Sequence, residues 1–401
     1  MAAVRRFELR MHALCTASRL LPALTAENGA SERERLIAEL SRGGAPVPDF
    51  HLPPRRVPRS AFRLLDELRG EAAELAGSDL YLQKLEELEL DLMMLDTLGR
   101  PRMVRPLAAR RYGTGATLAE TALGPLPLSR CAREILDRIE PASEPCEVAA
   151  SGPGSLAALV ESYAGEAGLE VRVRVEPRLS AGAATGERTV FLAARRFGRN
   201  EARRLAVHEV FGHLLSAANG RAQPIRLLQW GTAGSFVDQE GVALYMEEVA
   251  GVLDGPRLRT LAARVLAADM MHAGATFADT ARKLHGDEGF SAAEAVAIAE
   301  RAYRGGGVAR DVAYLLGWLR VHHALAAGEA SLDELRCGRV SLSALPVLRE
   351  LSRAGYARGP AFRPVLPNFS RSLRSTSSGT TPLRSPPSDA ASLIKLELTK
   401  K

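Results

Sequence analysis

Two histidines and a glutamate near the middle of the chain have a spacing suited to metal chemistry. They are His208, Glu209 and His213, in the sequence HEVFGH. In the familiar zinc-peptidase signature the two histidines are four residues apart on one face of a helix, and the glutamate beside the first one serves as general base. Here the histidines are five residues apart. On a regular α-helix this spacing turns the second side chain about 140° away from the first, so the pair could not share one metal ion.

A local widening of the helix would bring the two histidines together again. In a π-type turn of about 4.4 residues, positions i and i+5 are only about 50° apart, and such bulges are often found at functional sites. Gly212, just before His213, makes a local backbone adjustment easier. We therefore predict that residues 200–220 form a helix that is distorted between the histidines.

The next helical segment can supply a third ligand. A catalytic zinc site has three protein ligands and an open position for water. Glu240 lies 27 residues beyond His213, near the start of a predicted helix that begins at residue 238. Glu247 follows seven residues later on the same helical face, where it could orient a ligand histidine through its ring N–H, or be a solvated charge on the helix surface. Glu209 would then take the proton of the zinc-bound water and pass it to the leaving amine.

These motifs together resemble those of the QEGLA-motif proteins, the family that includes the microtubule-associated tyrosine carboxypeptidases. The matching segments are HEVFGH at 208–213, NGRAQPIRLL at 219–228, QEGVA at 239–243, RAYRGG at 301–306 and RDVAYL at 310–315. The resemblance covers about residues 50–357. It implies a zincin-like metallopeptidase fold and one Zn²⁺ per chain, with His208, His213 and Glu240 as its ligands and Glu209 as the catalytic carboxylate.

The resemblance also implies an activity, the zinc-dependent hydrolysis of a peptide bond at the C-terminus of a peptide or protein. Animal members of the family remove a C-terminal tyrosine from α-tubulin. Bacterial members, to which the composition points, are named for an association with flavohaemoglobin expression, so a non-catalytic metal-binding regulator is the alternative. Gly212 also gives a likeness to the HExxGH motif of dipeptidyl peptidase III, a much longer protein, which leaves the choice of substrate open.

Three further residues are candidates for contact with a substrate. Arg301 and Arg304 could clamp the terminal carboxylate of a peptide with paired hydrogen bonds, or be ordinary members of an arginine-rich chain. Tyr314 could stabilise an oxyanion, or be a core aromatic on a helix face. The strand predicted at 188–193 could be a sheet edge along which a peptide lies.

The elements that must position these residues are mostly helices. Apolar residues at helical spacing predict helices within 60–98, broken near Gly77, and further helices at 128–139, at 155–164 and from 200 almost to 357. Alternating apolar residues predict two neighbouring strands, 169–176 and 188–193, joined by a Gly-rich turn. The predicted fold class is therefore α+β and mainly α-helical, with a small β-sheet beside the helix that carries HEVFGH.

We divide the chain into three parts on composition. Residues 1–48 are a helical lead-in, 49–357 the metallopeptidase-like catalytic domain, and 358–401 a tail rich in Ser, Pro and Arg that we expect to be disordered. The tail holds eight basic and two acidic residues, which account for the whole net charge of +6. Because the remainder is formally neutral, we expect no specific nucleic-acid partner.

Composition also narrows the cellular setting. No apolar run approaches the roughly 18 residues of a membrane span. The four cysteines are scattered along the chain, without the spacing of a disulfide framework or a Cys-x-x-Cys ligand pair. We therefore expect a cytoplasmic protein without a membrane span, and the sequence leaves its oligomeric state open.

Overall fold

The first half of the chain forms a series of short helices and a hairpin. The computed structural model describes residues 2–54, 56–121, 124–142, 145, 147–177 and 179–364. The helices are α1 (Ala2–Ala17), α2 (Gly29–Ser41), α3 (Arg59–Ala72), α4 (Ser78–Thr97), α5 (Pro101–Tyr112), α6 (Leu128–Arg138) and α7 (Leu156–Glu166), with a 3₁₀ turn at Leu21–Leu24. The predicted break falls between α3 and α4, where Gly77 has a left-handed φ of 75°. The strands β1 (Leu118–Thr121) and β2 (Gly124–Pro127) pair as an antiparallel hairpin.

A three-stranded sheet follows, and it corrects one expectation. Its strands are β3 (Arg172–Glu176), β4 (Ala183–Thr185) and β5 (Thr189–Ala193), in the order β3-β5-β4. The prediction of two neighbouring strands is confirmed, since β3 pairs with β5 in parallel. The prediction that residues 188–193 form an edge is wrong, because the Gly-rich run expected to be only a turn contains β4, which pairs antiparallel with β5 on its other side.

The second half of the chain is helical, as predicted. Its helices are α8 (Arg199–Val207), α9 (Leu215–Ala222), α10 (Leu227–Trp230), α11 (Ser235–Val249), α12 (Gly255–His272), α13 (Phe277–Gly286), α14 (Ala292–Tyr303), α15 (Val312–Ala326), α16 (Leu332–Arg336) and α17 (Leu345–Arg353). Short 3₁₀ turns lie at Arg304–Gly306 and Leu342–Ala344. The fold is thus α+β and mainly helical. None of the described helices is both long and apolar enough to cross a membrane.

Helices α11 and α15 cross at very short range. The crossing point is made of glycines, because a Cβ on Gly241 would overlap the backbone of Gly317, and a Cβ on Gly317 would overlap the carbonyl of Val237. Glycine permits this close approach of two backbones. The contact fixes α11, the helix that carries Glu240, against α15, the helix that carries Tyr314.

The first two helices pack against helices that follow them in the chain. Phe7 and Met11 of α1 lie in one apolar cluster with residues of α3 and α4, and Leu36 and Leu40 of α2 lie in another with residues of α12 and α14. The segment predicted as a lead-in therefore contributes to two apolar clusters that it shares with the helices that follow it.

Residues 358–364, the start of the predicted tail, lie against α9. The side chain of Asn219 donates to the carbonyl of Phe362 at 2.9 Å and accepts from its N–H at 2.7 Å. Gln223 makes the same pair of hydrogen bonds with the backbone of Arg358, each 2.9 Å long. The remainder of the predicted tail, 365–401, lies outside the described residues.

Candidate active site

The two histidines of HEVFGH lie on a π-helical segment. His208–Leu214 has π geometry between α8 and α9, which confirms the distortion predicted from the spacing. As a result the Nε2 atoms of His208 and His213 are 3.2 Å apart. Gly212 does not have a positive φ, so it does not favour the distortion by adopting a backbone conformation that only glycine tolerates well. It allows close packing instead, because a Cβ there would overlap the Cβ of Ala243 in α11.

Glu240 on α11 completes a cluster of three side chains. Its Oε2 lies 3.3 Å from Nε2 of His208 and 3.4 Å from Nε2 of His213. Together the three side chains could hold a metal ion. Metal–ligand bonds of about 2.0–2.1 Å in a tetrahedral zinc site place the ligand atoms about 3.3–3.4 Å apart. The three distances in the cluster match that separation closely.

The chemistry of the three ligand atoms also fits a cation. Oε2 of Glu240 is buried, and no described residue donates a well-aligned hydrogen bond to it. Burial favours a raised pKa for Glu240, but the neighbouring His213 and His208 hold the pKa well below its usual range. Burial favours a lowered pKa for His208, but Glu240 and Glu247 raise the pKa to about 9. The space between these three ligand atoms therefore stabilises a positively charged ion.

Glu247 orients the ring of His208 from within the protein. Its Oε1 lies 2.7 Å from Nδ1 of His208. A carboxylate can only accept, so Nδ1 carries a proton. Glu247 is fully buried and also faces Arg257 at 3.4 Å and Arg204 at 3.9 Å. Burial favours a raised pKa for Glu247, but Arg257 and the other positive groups lower it to about 2, so this side chain stays an anion.

A cavity lies in front of the two histidines, and Glu209 forms part of its wall. The Glu209 side chain is buried, and its Oε2 accepts a hydrogen bond of 2.7 Å from Oγ1 of Thr185, at the end of β4. The sheet has an edge at β3 and an edge at β4 rather than at residues 188–193, and β4 is the edge strand that contacts Glu209. The sheet edge and the carboxylate of Glu209 therefore face the same cavity.

Arg301 and Arg304 reach the cavity, where they surround a carboxylate of the protein itself. Arg301 donates through Nε to Asp311. Arg304 and Arg264 face the same carboxylate at 3.7 and 3.5 Å. Burial favours a raised pKa for Asp311, but these arginines hold the pKa well below its usual range. Three guanidinium groups share one carboxylate, which leaves an excess of positive charge beside the cavity.

Tyr314 lies between this arginine group and the histidines. Its ring is nearly parallel to that of His208, with the centroids 6.4 Å apart, and the guanidinium of Arg264 lies 5.3 Å from its centroid. Burial and the charge of Glu240 raise the pKa of Tyr314 to about 12. At neutral pH the side chain is therefore a neutral phenol that can donate a hydrogen bond.

The cavity in front of these groups is large enough for several residues of a peptide. Its volume is about 600 Å³, and its wall includes Phe236 and Trp230 as well as the groups described above. A second cavity of about 420 Å³ shares His208, Glu209 and Tyr314 with the first. Glu209 therefore lies in the wall of both cavities.

Among the residues of this site that were not predicted from the sequence are Thr185, Arg264 and Asp311. Thr185 stands in a Gly-rich run that has no periodic pattern. Arg264 is one of many arginines in a helix, and nothing in its sequence neighbourhood distinguishes it. Asp311 could have been found, since a single acidic residue beside several arginines in 301–311 is a sign of a shared ion pair.

The fold and the site together define a mainly helical α+β protein with a buried His₂Glu cluster that could hold a metal ion. The family model for the microtubule-associated tyrosine carboxypeptidases matches residues 42–379, which is most of the chain. The protein belongs to this family, and the resemblance drawn from its motifs is confirmed. No curated protein sequence matches the chain.

Proposed function

We propose that the protein is a zinc-dependent carboxypeptidase that hydrolyses the last peptide bond of a peptide or protein. The observation that carries this proposal is the meeting of His208, His213 and Glu240 with ligand atoms 3.2–3.4 Å apart, beside the buried Glu209. Membership of a family described as tyrosine carboxypeptidases supports a peptidase of this type.

The zinc ion would be held by His208, His213 and Glu240, since imidazole nitrogens and a carboxylate are its usual ligands in catalytic sites. When bound, Zn²⁺ supplies Lewis acidity, which makes a water molecule more acidic and polarises a carbonyl group. Glu247 keeps the proton on Nδ1 of His208, so that Nε2 presents its lone pair to the cluster. Glu247 in turn is kept ionised by Arg257.

Glu209 acts as general base and then as general acid. It lies in the wall of both cavities, so a peptide bond bound across the cleft comes within its reach. Its carboxylate takes a proton from the attacking water and delivers it to the nitrogen of the leaving amine. The products are a free amino acid and a peptide shorter by one residue.

Arg301 and Arg304 bind the terminal carboxylate of the substrate. With Arg264 they carry more positive charge than Asp311 neutralises, and Nε of Arg304 is buried without a hydrogen-bond partner among the described residues. A substrate carboxylate would offset that excess charge through charge-assisted hydrogen bonds. Tyr314, beside His208, donates a hydrogen bond to the scissile carbonyl oxygen as negative charge develops on it.

A C-terminal tyrosine is the first residue to test as the leaving group. The family description names tyrosine. Phe236 and Trp230 lie in the wall of the larger cavity, and aromatic walls suit an aromatic side chain.

Digestion of a peptide library with varied C-termini tests the activity. We expect zinc-dependent release of single C-terminal amino acids, tyrosine among the first, and little release from the same peptides with an amidated C-terminus. Release that ends when a chelator is added would exclude the non-catalytic regulator. Binding of zinc without hydrolysis of any peptide would favour the regulator instead.

Two variants assign the residues. His208→Ala should lose stoichiometric zinc by metal analysis, while Glu209→Gln should keep the metal and lose hydrolysis by a factor on the order of 10²–10⁴. Absence of zinc from the folded wild-type protein would refute the metal site. An undiminished rate in the Glu209→Gln variant would refute its assignment as base.

A further inference from the structure

A hydroxyl group on the edge strand β4 forms a hydrogen bond with the carboxylate of Glu209. Oγ1 of Thr185 lies 2.7 Å from Oε2 of Glu209 and 3.3 Å from the carbonyl oxygen of the same residue. A hydroxyl has a single hydrogen, and the shorter contact, to a charged acceptor, is the stronger of the two. Within the part of the chain that the structure describes, no other hydrogen bond reaches the Glu209 carboxylate.

We infer that Thr185 is a positioning residue that decides which oxygen of Glu209 acts as the base, an inference that rests on the proposed function. By donating to Oε2, Thr185 leaves Oε1 to face the water. The terminal torsion of a glutamate side chain is broad and roughly two-fold, so the carboxylate has little orientation of its own. Thr185 supplies the orientation that the side chain lacks.

The strand that carries Thr185 is well suited to this task. Thr185 lies opposite Val190 of β5, and the hydrogen bond from the next residue, Gly186, to the carbonyl of Thr189 anchors this end of the strand to the sheet. Threonine is branched at Cβ and therefore stiff at χ1, so the position of its hydroxyl follows that of the backbone. A hydroxyl on a paired strand can hold a catalytic side chain more accurately than one on a loop.

The same strand also offers backbone groups to a peptide. Gly182 accepts from the N–H of Ala193, and Gly186 donates to the carbonyl of Thr189, so the even-numbered positions bond to β5. Because this pattern alternates along an antiparallel strand, the N–H and C=O groups of Ala183 and Thr185 point away from β5. An extended substrate can pair with them. Thr185 would thereby align the scissile bond through its backbone and the base through its side chain.

Three variants test the inference. Thr185→Val keeps the size and the branching but removes the hydroxyl, Thr185→Ser keeps the hydroxyl, and Thr189→Val in β5 is a matched control on the neighbouring strand. For Thr185→Val we expect kcat to fall on the order of 10–100-fold, with KM and zinc content close to those of the wild type, because misplacement by about 1 Å costs about this much. Thr185→Ser should recover most of kcat.

Several results would overturn the inference. They are an unchanged kcat in Thr185→Val, a Thr185→Ser variant as slow as Thr185→Val, a change confined to KM, or a loss of zinc, which would show a structural role. Crystal structures of the wild type and of Thr185→Val show the position of the Glu209 carboxylate, a measurement that does not depend on peptidase activity. We expect the Glu209 carboxylate to leave its wild-type position, and an unmoved carboxylate would contradict the inference even if the wild type proved to have no peptidase activity.

Discussion

Two buried carboxylates orient the groups that face the cleft. Glu247 binds the ring of His208 and faces Arg257. Asp311 forms ion pairs with Arg301 and two other arginines. A buried carboxylate without partners is strongly destabilising, so each one depends on its arginines as much as they depend on it. For this reason we expect a substitution of one residue in either set to disturb the positions of the other residues of that set.

Glu247→Gln tests this dependence at the cluster of His208, His213 and Glu240. An amide in place of the carboxylate can turn either its oxygen or its NH₂ group to Nδ1 of His208, and it leaves Arg257 without a partner charge. We expect zinc affinity, measured by competition with a chelator, to fall on the order of 10–100-fold. Glu161→Gln, at an exposed position of α7, is the control and should bind zinc like the wild type. Equal affinity in the two variants would show that Glu247 does not orient the histidine.

Residue chemistry explains how much of the site could be predicted. Metal binding restricts residue types and spacing, and the meeting of His208, His213 and Glu240 could be expected from the sequence even though it requires a π segment. The contact between Thr185 and Glu209 could not. It joins residues 24 positions apart through the packing of a sheet edge on a helix, and threonine is too common in such positions to be a signal.

At the scale of elements, the cluster depends on how closely the π segment approaches α11. Gly212 faces Ala243 at the point of contact, three residues after Glu240 on the helix that carries it. A side chain at position 212 would push the two elements apart and separate His213 from Glu240. The geometry of the cluster is thus fixed by a packing contact as well as by the side chains that form it.

Gly212→Ala tests the packing contact. A new Cβ would overlap that of Ala243 and lie 2.9 Å from its Cα, so we expect a loss of unfolding free energy of about 1–3 kcal/mol and weaker zinc binding. Adding Ala243→Gly to the same chain should restore part of the loss, which denaturant unfolding of the two single variants and the double variant would measure. Strict additivity of the two changes would contradict the proposed overlap.

The elements that could not be predicted from the sequence lack a repeated apolar pattern of their own. Helix α5 contains Pro106 and several arginines, so its apolar residues do not form a clear helical stripe. The hairpin strands β1 and β2 have four residues each, and β4 has three. Strands this short are specified by the neighbours they pair with, more than by an alternation of their own residues. The long amphipathic helices of the second half were predictable because each repeats its pattern over several turns.

At the scale of the whole molecule, segments far from the motifs support the helix that carries the histidines. Asn219 lies near the end of α9, which continues directly from the π segment, and it is fully buried. Its side-chain amide forms hydrogen bonds with both the N–H and the C=O of Phe362. Gln223 forms the same two hydrogen bonds with the backbone of Arg358. Residues 358–364 therefore serve as a strap along α9, although their composition resembles that of the tail that follows.

Shortened chains that end at residue 357 or at residue 364 test the strap. The chain ending at 357 lacks the backbone partners of Asn219 and Gln223, whereas the chain ending at 364 keeps them. The shorter chain loses four hydrogen bonds and exposes both amides to water, and each lost bond costs about 0.5–1.5 kcal/mol, so we expect this chain to unfold at a lower denaturant concentration and to bind zinc more weakly. Asn219→Ala in the full chain should reproduce part of this loss, because it removes one of the two pairs. If the two shortened chains were equally stable, the hydrogen bonds between α9 and residues 358–362 would contribute nothing to the fold, and the support of the histidine helix would have to come from the other elements packed on it, among them α11, α7 and β4.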